Sequence, residues 1–121
     1  MYPPVFPILN GNAAVVALLG SPVRVYPFGQ ATQDVPGPYA VWQLITGSPE
    51  NCLQDRPDAD QFDIQMDIYA AEQDDSLAIG KAIRNALEPF AYITRWGGHS
   101  MDPETKRWRV SFDVSFIVRR V

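Results

Sequence analysis

The chain has 121 residues and 13.5 kDa, with 46% hydrophobic, 12% aromatic and 20% charged residues and a net charge of −4. That length supports one core rather than two, and the apolar and aromatic content excludes a disordered chain. A pI near 4.7 argues against a dedicated nucleic-acid binder, whose affinity comes from clustered positive charge.

The longest apolar run, Ala13 to Leu19, is about a third of a bilayer-spanning helix, so no membrane segment is expected. Met1-Tyr2-Pro3-Pro4 sets no basic leader before an apolar stretch, so no secretory signal is read and a soluble, cytoplasmic domain is expected. The single cysteine, Cys52, can form neither an internal disulfide nor a cysteine zinc site.

Seven of the eleven prolines lie in the first 38 residues, which predicts short elements joined by rigid turns. Residues 1–7 read as a proline-rich arm. Asn10-Gly11-Asn12 is a turn and a helix cap, followed by a short apolar helix over Ala13–Leu19 that Gly20 and Pro22 stop. Val23–Phe28 reads as an edge strand because Pro27 lacks the donor a central strand needs. Gly29–Pro38 is a loop. Tyr39–Thr46, rich in β-branched and aromatic residues, is a buried strand.

Gly47–Asp60 is polar, contains Pro49 and Pro57, and reads as a long mobile loop or a loosened hairpin. In the next strand Phe62, Ile64, Met66 and Ile68 alternate with Asp63, Gln65, Asp67 and Tyr69, which is period two with one wet face. Asp74-Asp75-Ser76 offers acidic caps to a helix over Ser76–Glu88. Its stripe of Ile79, Ile83, Ala86, Leu87 and Phe90 faces the core, and Pro89 ends it. Ala91–Trp96 is a strand, and Gly97-Gly98 and Asp102-Pro103 are turns. The final strand carries Trp108, Val110, Phe112, Val114, Phe116 and Val118 at period two. The expected fold is a single α+β domain in the order α-β-β-β-α-β-β. A mainly antiparallel sheet of about five strands carries both helices on one face.

The chemistry of catalysis finds little to stand on. His99, the only histidine, lies between Gly98 and Ser100 in an expected turn, and sequence neighbours usually point apart. No G-x-S-x-G is present, and Cys52 has no nearby base. Asp55, Asp58, Asp60, Asp63 and Asp67 invite a calcium reading. An EF-hand begun at Asp58, however, puts Phe62 fifth, Asp63 at the glycine position and Tyr69 where the bidentate glutamate belongs. No zinc helix motif or phosphate-binding glycine loop occurs. Two-carboxylate hydrolysis is uninformative in so acidic a chain. Pro4-Val5-Phe6-Pro7 fits P-x-x-P and equally a stiff arm. No enzyme, cofactor or metal is expected.

Charge is segregated along the sequence. Nine of the fourteen acids lie between Glu50 and Asp75, where Arg56 is the only base. Five of the ten bases, Lys106, Arg107, Arg109, Arg119 and Arg120, lie in the last sixteen residues. Pairing between neighbouring strands would account for this. So would a head-to-tail subunit interface in which Asp58, Asp60 and Asp63 meet Lys106, Arg107, Arg109, Arg119 and Arg120 of the next copy.

The helix ending Ala17-Leu18-Leu19-Gly20 leads to Val23-Arg24-Val25-Tyr26-Pro27 and then Pro38-Tyr39-Ala40-Val41-Trp42. Phe62-Asp63-Ile64-Gln65-Met66-Asp67-Ile68-Tyr69-Ala70, a helix with Ile83-Arg84-Asn85-Ala86-Leu87 and a long final strand follow. This order resembles the tail-completion proteins of long-tailed bacteriophages, also called tail terminator or tail-to-head joining proteins, over roughly residues 8 to 120. The resemblance implies a structural virion protein of the tail–neck region, assembled in the host cytoplasm. It would form a ring, typically a hexamer, on the last tail-tube subunits, stop tube growth and present the docking surface for the head. Its implied partners are further copies of itself, the tail-tube protein and a head–tail connector protein. DNA would pass through the lumen without specific binding, which suits an acidic chain. A head–tail connector or other neck ring is the nearest alternative. Two further readings are a small enzyme using His99 or an acid pair and a binding module using Trp42, Trp96 and Tyr92.

Overall fold

The computed structural model describes residues 3–29, 35–49 and 59–119. Its elements are α1 (Val5–Asn10), α2 (Ala13–Leu19), β1 (Val25–Pro27), β2 (Tyr39–Pro49), β3 (Ala59–Ala70), α3 (Gln73–Leu87), β4 (Ala91–Met101) and β5 (Trp108–Arg119). The strands form one mixed sheet in the order β1-β2-β3-β5-β4. β1 runs parallel to β2, and the other pairs are antiparallel. The molecule is a single α+β domain, as the alternation in β3 and β5 demands.

Alternation decides which face is covered. Phe62, Ile64, Met66 and Ile68 of β3 stand opposite Phe116, Val114, Phe112 and Val110 of β5, and all eight are buried. Ala40 and Trp42 of β2 extend this layer. α3 packs on β3 and β5, and α1 and α2 pack against α3. Ile79, Ile83, Ala86 and Leu87 of α3 join Val5 and Leu9 of α1 and Val15 and Leu19 of α2 in the same core. Side chains so fully buried contribute about 1.5–3 kcal/mol each. The described helices therefore lie on one face, and the opposite face is polar, with Ser111 and Ser115 buried among half-buried side chains of β3.

Several elements differ from expectation. α1 begins inside the stretch that reads as an arm. Its prolines fall at Pro4, the N-cap, and Pro7, in the first turn, where backbone N–H groups have no helical partner to lose. Val5 and Leu9, four apart, then bury one face completely. α2 matches its expected span, capped by the Asn12 side chain, which accepts from Ala14 N at 3.1 Å and Val15 N at 3.2 Å. β1 is shorter than predicted and parallel to β2, because the loop between them is long enough to cross back. β2 and β3 form an extended hairpin that takes in Gly47–Pro49 and Ala59–Asp60, with a bulge between Leu44 and Thr46. Residues 50–58 of the expected polar loop lie outside the described residues. Gly97-Gly98 is not a turn: β4 runs through it to Met101 with a bulge between Trp96 and Gly98. A Cβ on Gly97 would meet Ser111 O at 3.1 Å, so glycine lets β4 press against β5 there. α3 ends at Leu87, which takes Phe90 off the buried stripe and leaves it 61% exposed.

Candidate functional site

The uncovered face of the sheet is built from the odd-numbered residues of β3 and β5. Gln61 Nε2 donates to Ser115 Oγ at 3.0 Å, and Gln65 Nε2 donates to Ser111 Oγ at 3.3 Å and to Asp67 Oδ1 at 3.1 Å. Arg109 Nε lies 3.5 Å from Asp67 Oδ1, and Arg95 Nε of β4 lies 3.1 Å from Asp113 Oδ2. Acids of β3 and bases of β5 are segregated in the sequence, yet adjacent strands bring them side by side. The result is a polar face that carries two cross-strand ion pairs, Asp67–Arg109 and Asp113–Arg95.

At one end of this face Tyr39 and Tyr69 stack with ring centroids 5.1 Å apart. The Arg107 guanidinium sits 5.2 Å from the Tyr39 ring centroid. Arg107 Nη1 donates to Gly37 O at 2.7 Å and Nη2 to Val35 O at 2.8 Å. From the other side Arg24 Nε donates to Pro38 O at 2.7 Å. Two arginines thus clamp the Val35–Pro38 segment. Burial pushes the Tyr39 phenol above its ordinary pKa, against the opposing Arg107 charge. Burial does the same to Tyr69, assisted by Asp67 and opposed by Arg109.

A second feature lies between α3 and β4, a groove of about 540 Å³ lined by residues that include Leu77, Lys81, Arg84, Trp96 and His99. His99 stacks on Trp108 with centroids 5.1 Å apart. Its Nε2 lies 3.2 Å from Ser76 Oγ, and its Nδ1 lies 3.3 Å from Gln73 Nε2. This is a serine–histidine pair in distance only. Ser76 is fully buried, and its hydroxyl proton is committed to Gln73 O at 2.7 Å. With one proton to give, Ser76 Oγ accepts from the His99 ring N–H, leaving Nδ1 to accept from the Gln73 amide. The arrangement staples the start of α3 to β4 and does not activate a nucleophile. Ser100, the sequence neighbour, is on the opposite face of β4.

Of the eight residues singled out for a subunit interface, the six that are described are dispersed. Asp58 and Arg120 lie outside the described residues, as do Cys52 and Asp55. Asp60 is buried at the start of β3 opposite Val118. Asp63 is on the polar face, 3.5 Å from Gln61 Nε2. Arg107 and Arg109 are engaged within their own chain, whereas Lys106, in a turn at φ 60°, and Arg119 are exposed. Among the described residues no group of three or more His, Cys, Asp or Glu is placed to hold a metal ion. No described helix is long and apolar enough to cross a membrane. Of the three aromatics weighed for binding, Trp42 is in the core, while Tyr92 is 69% and Trp96 52% exposed. The Gln–Ser rungs and the arginine clamp carry no local sequence signature. Only the β3–β5 register reveals the first, and the second joins an Arg24 contact spanning 14 residues to Arg107 contacts spanning 70 and 72 residues.

Comparison with known proteins agrees with this architecture. A chain in a solved structure titled "Virion of native gene transfer agent (GTA) particle" superposes with a TM-score of 0.70 at 16% identity, covering 96% of this chain and 92% of that one. At that identity the match shows a shared fold. No curated relative matches the sequence. Residues 3–119 match a family of structural proteins of the bacteriophage tail. That family is Tail completion protein gp17, and the chain belongs to it. It is thus a structural component of a phage-type virion tail, where it contacts other virion proteins, and its family is not an enzyme family.

Proposed function

We infer that the chain forms a ring, a hexamer by family resemblance, which caps the tail tube, ends its growth and offers the head its docking surface. The match to the tail completion family over residues 3–119 carries this reading. The ring stands at the neck of the virion and assembles in the host cytoplasm. It contacts the tail-tube protein on one side and a head–tail connector protein on the other. DNA passes through its lumen unheld, and the reading assigns no catalytic step and no cofactor. Subunit contacts join the acidic 50–75 region to the basic 106–120 region. Because Arg107 and Arg109 are already engaged, Lys106 and Arg119 are the cations to test. Lys106→Glu with Arg119→Glu should weaken assembly and leave the folded subunit intact.

Deletion of the gene from its phage, followed by negative-stain electron microscopy of the lysate, tests the role. Abnormally long, headless tails beside DNA-filled, tailless heads are the expected result. Tails of normal length that fail to join heads would instead assign the chain to a connector ring. Intact virions would overturn both readings.

A further inference from the structure

We propose that the sheet of one copy continues into the next. The uncovered half of β2, Gln43–Pro49, would pair antiparallel with the Ala91–Trp96 half of β4 in a second copy of this chain. The proposal rests on the ring reading and supplies its joint.

Among the described residues the sheet has two open edges. β1 pairs with Ala40–Trp42 alone, and beyond Trp42, whose carbonyl accepts from Phe28 N at 2.8 Å, the outer side of β2 meets no described strand. At the far side β4 is the last strand of the order. Open edges present unpaired N–H and C=O groups that recruit another strand. Large apolar side chains gather on both: Leu44 and Ile45 on β2 are 39% and 50% exposed, and Tyr92 and Trp96 on β4 are 69% and 52% exposed. Neither stretch carries a charge that would repel a strand. Gln43–Pro49 has none, and Arg95 of β4 is ion-paired with Asp113 at 3.1 Å.

The register makes the two openings match. Leu44 is opposite Ile64, Ile64 opposite Val114, and Val114 opposite Ile93. Thr46 likewise leads through Asp63 and Ser115 to Tyr92. The open half of β2 and the first half of β4 therefore stand at the same height on opposite edges. With the strands set along the ring axis, a copy related by rotation alone brings these stretches together, and a head-to-tail contact without translation along that axis closes a ring rather than a filament. Three antiparallel steps separate β2 from β4, so the two run in opposite directions and meet antiparallel. The other halves are excluded: β1 covers one, and the glycine bulge at Trp96–Gly98 breaks the register of the other. The shared stretch spans about 20 Å at roughly 3.3 Å per residue.

The test is disulfide trapping in assembled particles that carry Cys52→Ser, with Thr46→Cys and Tyr92→Cys. Both positions are exposed on the polar face and level with each other. Directly paired antiparallel positions bring Cβ atoms within reach of a disulfide. Oxidation should give a ladder of cross-linked multiples of the chain on a non-reducing gel. Thr46→Cys with Ser100→Cys, exposed on the same face but level with Tyr39, should give none. Hydrogen exchange on the unmodified chain is the second readout. Amides of Gln43–Ser48 and Tyr92–Trp96 should exchange more slowly in the particle than in the free subunit, and this decides the matter if a variant fails to assemble. A ring visible in averaged images, with no ladder and no slowed exchange, overturns the edge pairing and leaves the ring. A ladder from both cysteine pairs overturns the level register. One copy of the chain per particle overturns ring and pairing together.

Discussion

Replacing Arg107 by alanine tests whether its charge serves the fold or a neighbouring subunit. The side chain donates to Gly37 O at 2.7 Å and to Val35 O at 2.8 Å, and its guanidinium lies 5.2 Å from the Tyr39 ring centroid. Each hydrogen bond contributes about 1 kcal/mol net, nearer the low end because the segment is partly exposed. The cation–π contact adds about 0.5 kcal/mol. Arg107→Ala should therefore cost about 2 kcal/mol, which for a domain of this size lowers Tm by about 8 °C. The assay is urea and thermal unfolding of the isolated chain, with Arg107→Lys in parallel. A lysine cannot reproduce the two-pronged donation and should recover less than half of the loss. Salt separates the mechanisms. The acceptors are carbonyl oxygens, not carboxylates, so most of the loss should persist at 1 M salt, where the screening length is about 3 Å. A midpoint unchanged by Arg107→Ala, or a loss that vanishes in salt, would refute the clamp. Arg107 would then act as a surface charge, available to a neighbouring copy.

Leu9 of α1 is fully buried in the core, so Leu9→Ala should destabilise by about 3 kcal/mol in the same unfolding assay. Arg109→Ala removes a half-exposed ion pair with Asp67 and should cost about 0.5 kcal/mol or less, read as a small, salt-sensitive shift in urea midpoint. Tyr39 and Tyr69 hold their protons more tightly folded than unfolded. Their contribution is complete below the ordinary tyrosine value of 10.0 and is lost as pH rises beyond it. Unfolding midpoints measured at rising alkaline pH should fall less steeply for Tyr39→Phe/Tyr69→Phe than for the parent chain.

Strong periodicity made much of the fold legible. The alternation Phe62-Ile64-Met66-Ile68 and Val110-Phe112-Val114-Phe116 has one solution, a sheet with one covered face, and Asn12 with Gly20 bounds α2 to the residue. Proline count misled at α1, because proline opposes a helix interior but not a first turn. Glycine count misled at Gly97-Gly98, where the pair serves a close approach to Ser111 instead of a reversal. The His99–Ser76 contact was illegible for another reason: its partners are 23 residues apart on a strand and a helix, and no local pattern ties them.

The charge pattern shows where sequence reasoning reaches its limit for the site. Acids gathered in residues 50–75 and bases in 106–120 look like two poles, but strand order sets β5 directly beside β3. Arg109 consequently finds Asp67 at 3.5 Å in its own chain, so segregation along the sequence does not by itself leave this base free for a neighbour. An argument from charge alone would have every base of the final strand reach outward. With Arg107 and Arg109 engaged, Lys106 and Arg119, exposed near opposite ends of β5, are the cations among the described residues of 106–120 left for the proposed subunit joint. Two cations so far apart cannot fix a register by themselves. Backbone edges can, since a one-residue slip reverses every side chain, and this is why the open halves of β2 and β4 are the stronger candidates for the joint.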